Sequence, residues 1–194
     1  MNDIVHMTVS GTGAPSALGV KRVIANFLLF QIAWIVCVVS AARHVQWLSL
    51  FVIAIAIGAY VVSSQHKLKA VSLILFCMMM GVAIESLLAT IRATQFNDHL
   101  NAGGGDVMVF APAWMAALWG LFATTFNVSL RWLNGRYVLS SLLGAIAGPL
   151  SYLSGSKMGA LILPADYSLL AIGLCWAVMM PVLLSAAKHW DAFA

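Results

Sequence analysis

The sequence predicts an all-α polytopic membrane protein, a bundle of about six transmembrane helices with both termini cytoplasmic. Three observations carry this. Hydrophobic residues make up 62% of the 194 residues and charged residues 8%, with mean hydropathy +0.97. A soluble domain is about half apolar and about a quarter charged, so this excess has no place inside a water-soluble globule. Apolar stretches near the length that bridges a bilayer as a helix, about 20 residues, recur along the chain with polar links between them. The ten Lys and Arg residues stand singly or in pairs at the ends of those stretches. That is the pattern of topology signals, not of a basic patch, and no nucleic-acid partner is expected.

Residues 1–22 are polar at first, rich in Ser, Thr and Gly with Pro15, and end at Lys21 and Arg22; a flexible cytoplasmic tail is expected. Residues 23–190 then form a single six-helix transmembrane domain. The first span, 23–42, has basic residues before it and a small-residue run from Ser40 to Ala42 near its end. Its apolar core exceeds the roughly 7 to 15 residues of a signal peptide, and more spans follow, so an uncleaved helix is expected. The second span, 47–62, and the third, 70–91, flank the polar link Ser63 to Lys69. Thr94 to Asp106, with Asn97, Asp98, His99, Asn101 and Gly103 to Gly105, has the composition of a flexible loop. It is the longest connection and divides the chain into two three-helix halves of opposite orientation. Inverted halves are common in transporters, but the two halves show no residue-by-residue match. The fourth span covers 109–132, the fifth 137–161 and the sixth 167–187, with Pro164 and Asp166 marking the last turn.

Orientation follows from the basic residues. With the amino end inside, Lys21, Arg22, Lys67, Lys69, Arg131, Arg136 and Lys188 lie on the inner side, against Arg43, Arg92 and Lys157 outside. Trp47, Trp114, Trp132 and Trp190, near span ends, suit the interfacial belt.

Polar side chains within spans are the informative ones, because a charge in hydrocarbon costs about 2.5 to 3.5 kcal/mol unless paired or hydrated. Glu85 is the one acid inside a span. Gly81 precedes it by four residues and Arg92 follows by seven, which places all three on one stripe of the third helix. Lys157 falls at a comparable depth. Glu85 is therefore either a proton, cation or acid/base site, or half of a structural ion pair with Arg92 or Lys157. A second group, Asn26 and Gln31 on the first helix with Asn127 and Arg131 on the fourth, overlaps in depth. These four residues either surround an anionic headgroup, with Arg131 as its fork, or bond helix to helix while the arginine snorkels.

Ala116, Gly120, Ala123, Asn127 and Arg131 form a small-and-polar seam along the fourth helix. Gly144 and Gly148, then Gly155 and Gly159, form two GxxxG pairs on the fifth, each open to a neighbouring helix or a partner. Pro149 should kink that helix and free a carbonyl near Ser151 and Tyr152, and Pro181 does the same on the sixth. Cys37, Cys77 and Cys175 fall in apolar spans without CxxC spacing and read as small buried hydrophobes. His6, His44, His66, His99 and His189 show no metal-ligand spacing, and no nucleotide or hydrolase motif occurs. No metal or other cofactor is expected.

Three stretches, NFLLFQIAW from Asn26 to Trp34, LWGLFATTFNVSLRWL from Leu118 to Leu133 and LLGAIAGPLSYLSGSKMGA from Leu142 to Ala160, resemble a family of small bacterial inner-membrane proteins, the domain of unknown function 2878. The resemblance covers nearly the whole chain after the tail. It implies a bacterial inner-membrane location and a six-helix, single-domain architecture. The gene neighbourhood of the family's members implies membrane-lipid metabolism, but no reaction, ligand or catalytic residue comes with it. The leading expectation is a bundle that binds or translocates a lipid or small amphiphile, with Asn26, Gln31, Glu85, Asn127, Arg131 and Tyr152 as ligand-binding candidates. An intramembrane lipid-modifying enzyme, with Glu85 as acid/base and Tyr152 or Arg131 assisting, is the alternative. A third reading is an accessory subunit of an envelope complex, docked through the glycine seams.

Overall fold

A computed structural model describes residues 17–96 and 110–193. Six α-helices occur among them: α1 (Ala17–Ala42), α2 (Gln46–Ser63), α3 (Lys67–Thr90), α4 (Ala113–Phe126), α5 (Tyr137–Lys157) and α6 (Ser168–His189). All but α4 are long and apolar enough to cross a membrane, and the chain is a multi-pass membrane protein. Large apolar side chains such as Ile32, Leu68, Ile146 and Val178 point outward and are more than half exposed, the arrangement a hydrocarbon solvent asks for.

The first helix begins inside the expected tail, so residues 17–22 are helical; the flexible tail proposed for the preceding residues lies outside the described ones, as does most of the loop ending at Asp106. What is described of that loop is ordered. Ala93 and Thr94 are buried, and β1 (Gln95–Phe96) pairs antiparallel with β2 (Leu161–Ile162), Gln95 opposite Ile162.

The fourth span departs most from expectation. The apolar stretch 109–132 yields a helix of 14 residues, about 21 Å at 1.5 Å per residue against a core of about 30 Å. At its end the hydroxyls of Thr124 and Thr125 donate to Leu121 O and Phe122 O, local bonds that compete with helix continuation. A turn and a short 3-10 segment, Arg131–Leu133, follow. A short helix suffices because ten of the fourteen residues of α4 are buried, with α1, α2, α3 and α6 packed around it. Its apolarity serves protein contact rather than lipid contact.

The helices consequently group as four and two, not three and three: α1 to α3 enclose α4, and the α5–α6 hairpin packs on through α6. Pro149 leaves Ala145 O, four residues earlier, without its helical donor. That acceptor lies nearly two turns before the expected position near Ser151 and Tyr152, and it faces Gly173 of α6, where a Cβ would stand 3.2 Å from the oxygen.

The ends of the bundle are distinct. Gln65 and His66 donate their backbone N–H groups to Ala192 O, and the Arg22 guanidinium stacks 4.0 Å from the Phe193 ring. Residues 22 and 193 therefore share one end, called proximal here. The α1–α2 turn, the ends of α3 and α5, and the β1–β2 pair lie at the distal end, where Tyr167 donates to Ile91 O at 2.6 Å. Trp47 and Trp132 are exposed near span ends, as an interfacial belt needs. Trp114 is instead buried edge-on against Phe96, and Trp190 packs against Phe76.

Candidate functional site

Glu85 is fully buried on α3, five residues before the helix ends. Trp119 of α4 donates its Nε1–H to Glu85 Oε1 at 3.0 Å, and Tyr152 of α5 donates its hydroxyl to the same oxygen. Oε2 has no hydrogen-bond partner. Neither Arg92 nor Lys157 pairs with the carboxyl, so the expected structural ion pair does not form; neutral donors from two other helices replace it.

Glycines open the space for this arrangement. A Cβ on Gly81 would stand 2.1 Å from Trp119 Cγ, and a Cβ on Gly148 would stand 2.4 Å from Trp176 Cγ. Each indole thus lies against a bare turn of the neighbouring helix. The polar residue four positions later on the same face, Glu85 after Gly81 and Tyr152 after Gly148, meets its counterpart across the bundle. The two indoles stack with centroids 5.0 Å apart, and Tyr152 meets Trp176 edge-on at 6.5 Å. Trp176 Nε1 is buried beside them without a hydrogen-bond partner. Gly144 also faces α6, since a Cβ there would stand 2.5 Å from Trp176 O. The first GxxxG pair therefore serves packing within the chain. Gly155 abuts Leu161 more loosely, and Gly159 lies past the helix in a turn at φ +87°.

Beside this node lies a cavity of about 530 Å³, within the range of small-molecule sites, roughly 300 to 1,000 Å³. Its walls come from α1, α4, α5 and α6, with Phe30, Trp34, Phe122 and Trp176 supplying aromatic surface. Its rim includes Leu143 and Leu150, both exposed on the outer face of α5. The cavity thus opens sideways between α1 and α5, where lipid tails would run. Trp119 and Tyr152 line it while Glu85 stands behind them, so any contact between an occupant and the carboxylate passes through the tyrosine hydroxyl or the indole N–H. Gln31 also lines the cavity and makes no hydrogen bond to a described residue.

The second expected group does not converge. Asn26 donates to Thr124 O at 3.2 Å and accepts from the Ser129 hydroxyl at 2.8 Å. Asn127 donates to Trp190 O at 3.1 Å, leaving its Oδ1 unpartnered and buried. Arg131 pairs with Asp191 at 2.6 Å, and Gln31 faces the cavity alone. The physical reason is the early end of α4: Asn127 caps it and Arg131 begins the 3-10 segment beyond the following turn, so both leave the helical stripe on which their spacing would align them.

Tyr152 is the candidate whose placement beside Glu85 sequence reasoning anticipated. Trp119 and Trp176 were missed. Their signal was available, because a tryptophan in mid-span carries an N–H that hydrocarbon cannot satisfy, and an acid in mid-span needs donors. Among the described residues no cluster of three His, Cys, Asp or Glu side chains could hold a metal ion.

The model of a family described as protein of unknown function, DUF2878, matches residues 23–182. No curated protein and no solved structure matches the chain.

Proposed function

The chain belongs to the DUF2878 family, and we propose that it binds a lipid or other amphiphile whose apolar part occupies the cavity between α1 and α5. The observation that carries this reading is the cavity itself: about 530 Å³, aromatic and aliphatic in its walls, with its mouth on a membrane-facing side. Apolar surface alone would hold any lipid tail, whereas Gln31 and the Tyr152 hydroxyl add fixed polar contacts that select an occupant with a matching polar group. Glu85 is a positioning residue in this reading. It fixes the Tyr152 hydroxyl and the Trp119 indole in the wall.

The location that goes with this function is a bacterial inner membrane, with the proximal end cytoplasmic. Seven of the ten basic residues belong to that end, which is the positive-inside pattern.

The test is extraction of the full chain in mild detergent followed by mass spectrometry of the retained lipid. Ala147 is exposed on the cavity lining, so Ala147→Phe obstructs the mouth without disturbing a packed helix contact. Retention of one lipid class by the wild type and at least about tenfold less by Ala147→Phe is expected, since filling the space removes about 1.4 kcal/mol or more of binding. Equal retention by both proteins refutes the proposal.

A lipid-modifying enzyme is the second reading, favoured by the convergence of Tyr152 and Trp119 on Glu85 at the cavity wall. It requires a mass change in the lipid during incubation, abolished in Tyr152→Phe. An unaltered lipid leaves the binding function standing alone.

A further inference from the structure

Helices α1, α3 and α5 all stop at the distal end with the same pair of backbone hydrogen bonds. After α5, Gly159 N–H donates to Ser156 O and Ala160 N–H to Gly155 O; after α3, Arg92 N–H donates to Ala89 O and Ala93 N–H to Leu88 O. The residue at the centre of this stop takes a left-handed backbone: His44 at φ 58°, Arg92 at φ 56° and Gly159 at φ 87°. Glycine is the usual occupant, because an L side chain is strained there. The chain uses glycine after α5 and sets an arginine in the same geometry after α3. Strain of this kind, held in place by the surrounding structure, points to a use for the side chain.

Arg92 lines a pocket of about 210 Å³ together with Ala89, Thr94, Gln95 and Pro164. Thr94 is 1% exposed and its hydroxyl has no hydrogen-bond partner, although buried hydroxyls are ordinarily satisfied. Among the described residues no acidic side chain lines the pocket, and Arg92 forms no ion pair with a described carboxylate. A fork of guanidinium donors, an unused buried hydroxyl and an amide at the rim are complementary to a tetrahedral oxyanion.

We propose that this distal pocket is an oxyanion site for a phosphate group, with Arg92 supplying the charged fork, the Thr94 hydroxyl a second donor and Gln95 the rim contact. The phosphate is that of a lipid headgroup at the membrane surface or free phosphate from solution. The site is separate from the cavity between α1 and α5 and stands whether or not that cavity takes an amphiphile.

The test uses the full chain in detergent with two probes, inorganic phosphate and a short-chain phosphatidylglycerol, and reads binding beside thermal stability. Arg92→Gly removes the fork while giving the left-handed position its preferred residue, so stability holds or rises while affinity falls at least about tenfold. Thr94→Val deletes an unsatisfied hydroxyl, so the fold is kept and affinity falls about threefold or more. Arg92→Lys keeps the charge and loses the fork, giving an intermediate affinity. Arg92-dependent binding of inorganic phosphate identifies a solution ligand, and Arg92-dependent binding of phosphatidylglycerol alone identifies a headgroup. Saturable binding by neither probe, or binding by Arg92→Gly equal to the wild type, overturns the proposal. Should Arg92→Gly fail to fold, Thr94→Val and Arg92→Lys decide the matter on the same readouts.

Discussion

Glu85 is fully buried in the bundle and bonded to side chains from two other helices, whereas Arg131 is 46% exposed at the proximal end and paired with an aspartate near the chain's end. Both are ionisable residues in or beside apolar stretches, and the sequence presents them as similar. The difference is solvent. Deep in the bundle no water replaces a lost partner, so the protein supplies donors of its own and opens room for them with glycines. At the proximal end the arginine reaches a polar surface, and its ion pair is one of several ways to satisfy it. The stability of the bundle should therefore depend on the first arrangement and be nearly indifferent to the second.

The largest effect is expected from Glu85→Ala, which strands the Trp119 N–H and the Tyr152 hydroxyl and leaves a void. A loss of about 2 to 4 kcal/mol should appear in denaturant unfolding of the detergent-solubilised protein. Pairing Glu85→Leu with Tyr152→Phe removes acceptor and donor together. That pair should cost less than the sum of the single changes by about 1 kcal/mol. Strict additivity would mean that the two side chains do not act as a unit. If the double variant folds well yet retains no lipid, the node serves the cavity and not only the fold.

A smaller loss is expected from Gly81→Ala. The new methyl would enter the Trp119 ring, and repacking an already filled site costs about 1 to 3 kcal/mol. The indole must move, so the near-ultraviolet dichroism of the tryptophans should change with it. Gly58 on α2 provides the contrast, since no heavy atom outside its own turn lies within 4 Å of a Cβ built there. Gly58→Ala should be neutral or stabilising by up to about 1 kcal/mol, the usual gain of alanine over glycine in a helix. Equal losses at the two positions would remove the indole cradle from the account.

The contrast between these glycines also marks how far the sequence could be read. Helix number and most boundaries were legible, because apolar length is set by the bilayer and ends are marked by basic residues; α2 and α6 fall within two residues of expectation. The fourth span was misjudged because hydropathy does not tell a helix bathed in lipid from one enclosed by other helices. Both are apolar all round. That error moved Asn127 and Arg131 onto a helical stripe they do not occupy, and it kept a headgroup site open beside the other expectation, bonding from helix to helix, which Asn26 makes with Thr124 O. Glu85 was legible as an isolated acid and Tyr152 as its possible assistant. The reason for Gly81, and the donation from Trp119, were not legible, because they depend on which turn of α4 lies against which turn of α3. Spacing along one helix carries no information about register between two.

The smallest effect belongs to Arg131. Its ion pair with Asp191 is short, at 2.6 Å, but nearly half of the guanidinium side chain is exposed, and exposed pairs contribute about 0 to 1 kcal/mol. Arg131→Gln keeps the hydrogen-bonding reach and removes the charge, so the expected loss is under about 1 kcal/mol and shrinks further as salt is added. Asp191 also accepts a bond from Phe193 N–H at 2.9 Å through its other oxygen. Asp191→Asn retains an acceptor for that bond, and its effect should be equally small. Topology is a different matter from stability. Arg131 is one of seven basic residues at the proximal end, and removing one of seven leaves the bias over the distal three intact. A reporter fused after residue 194 should therefore give the same sidedness in Arg131→Gln as in the wild type. A loss of stability at Arg131 as large as that at Glu85 would show that the proximal pair is shielded from water, and the division between the two regions would have to be redrawn around the membrane surface.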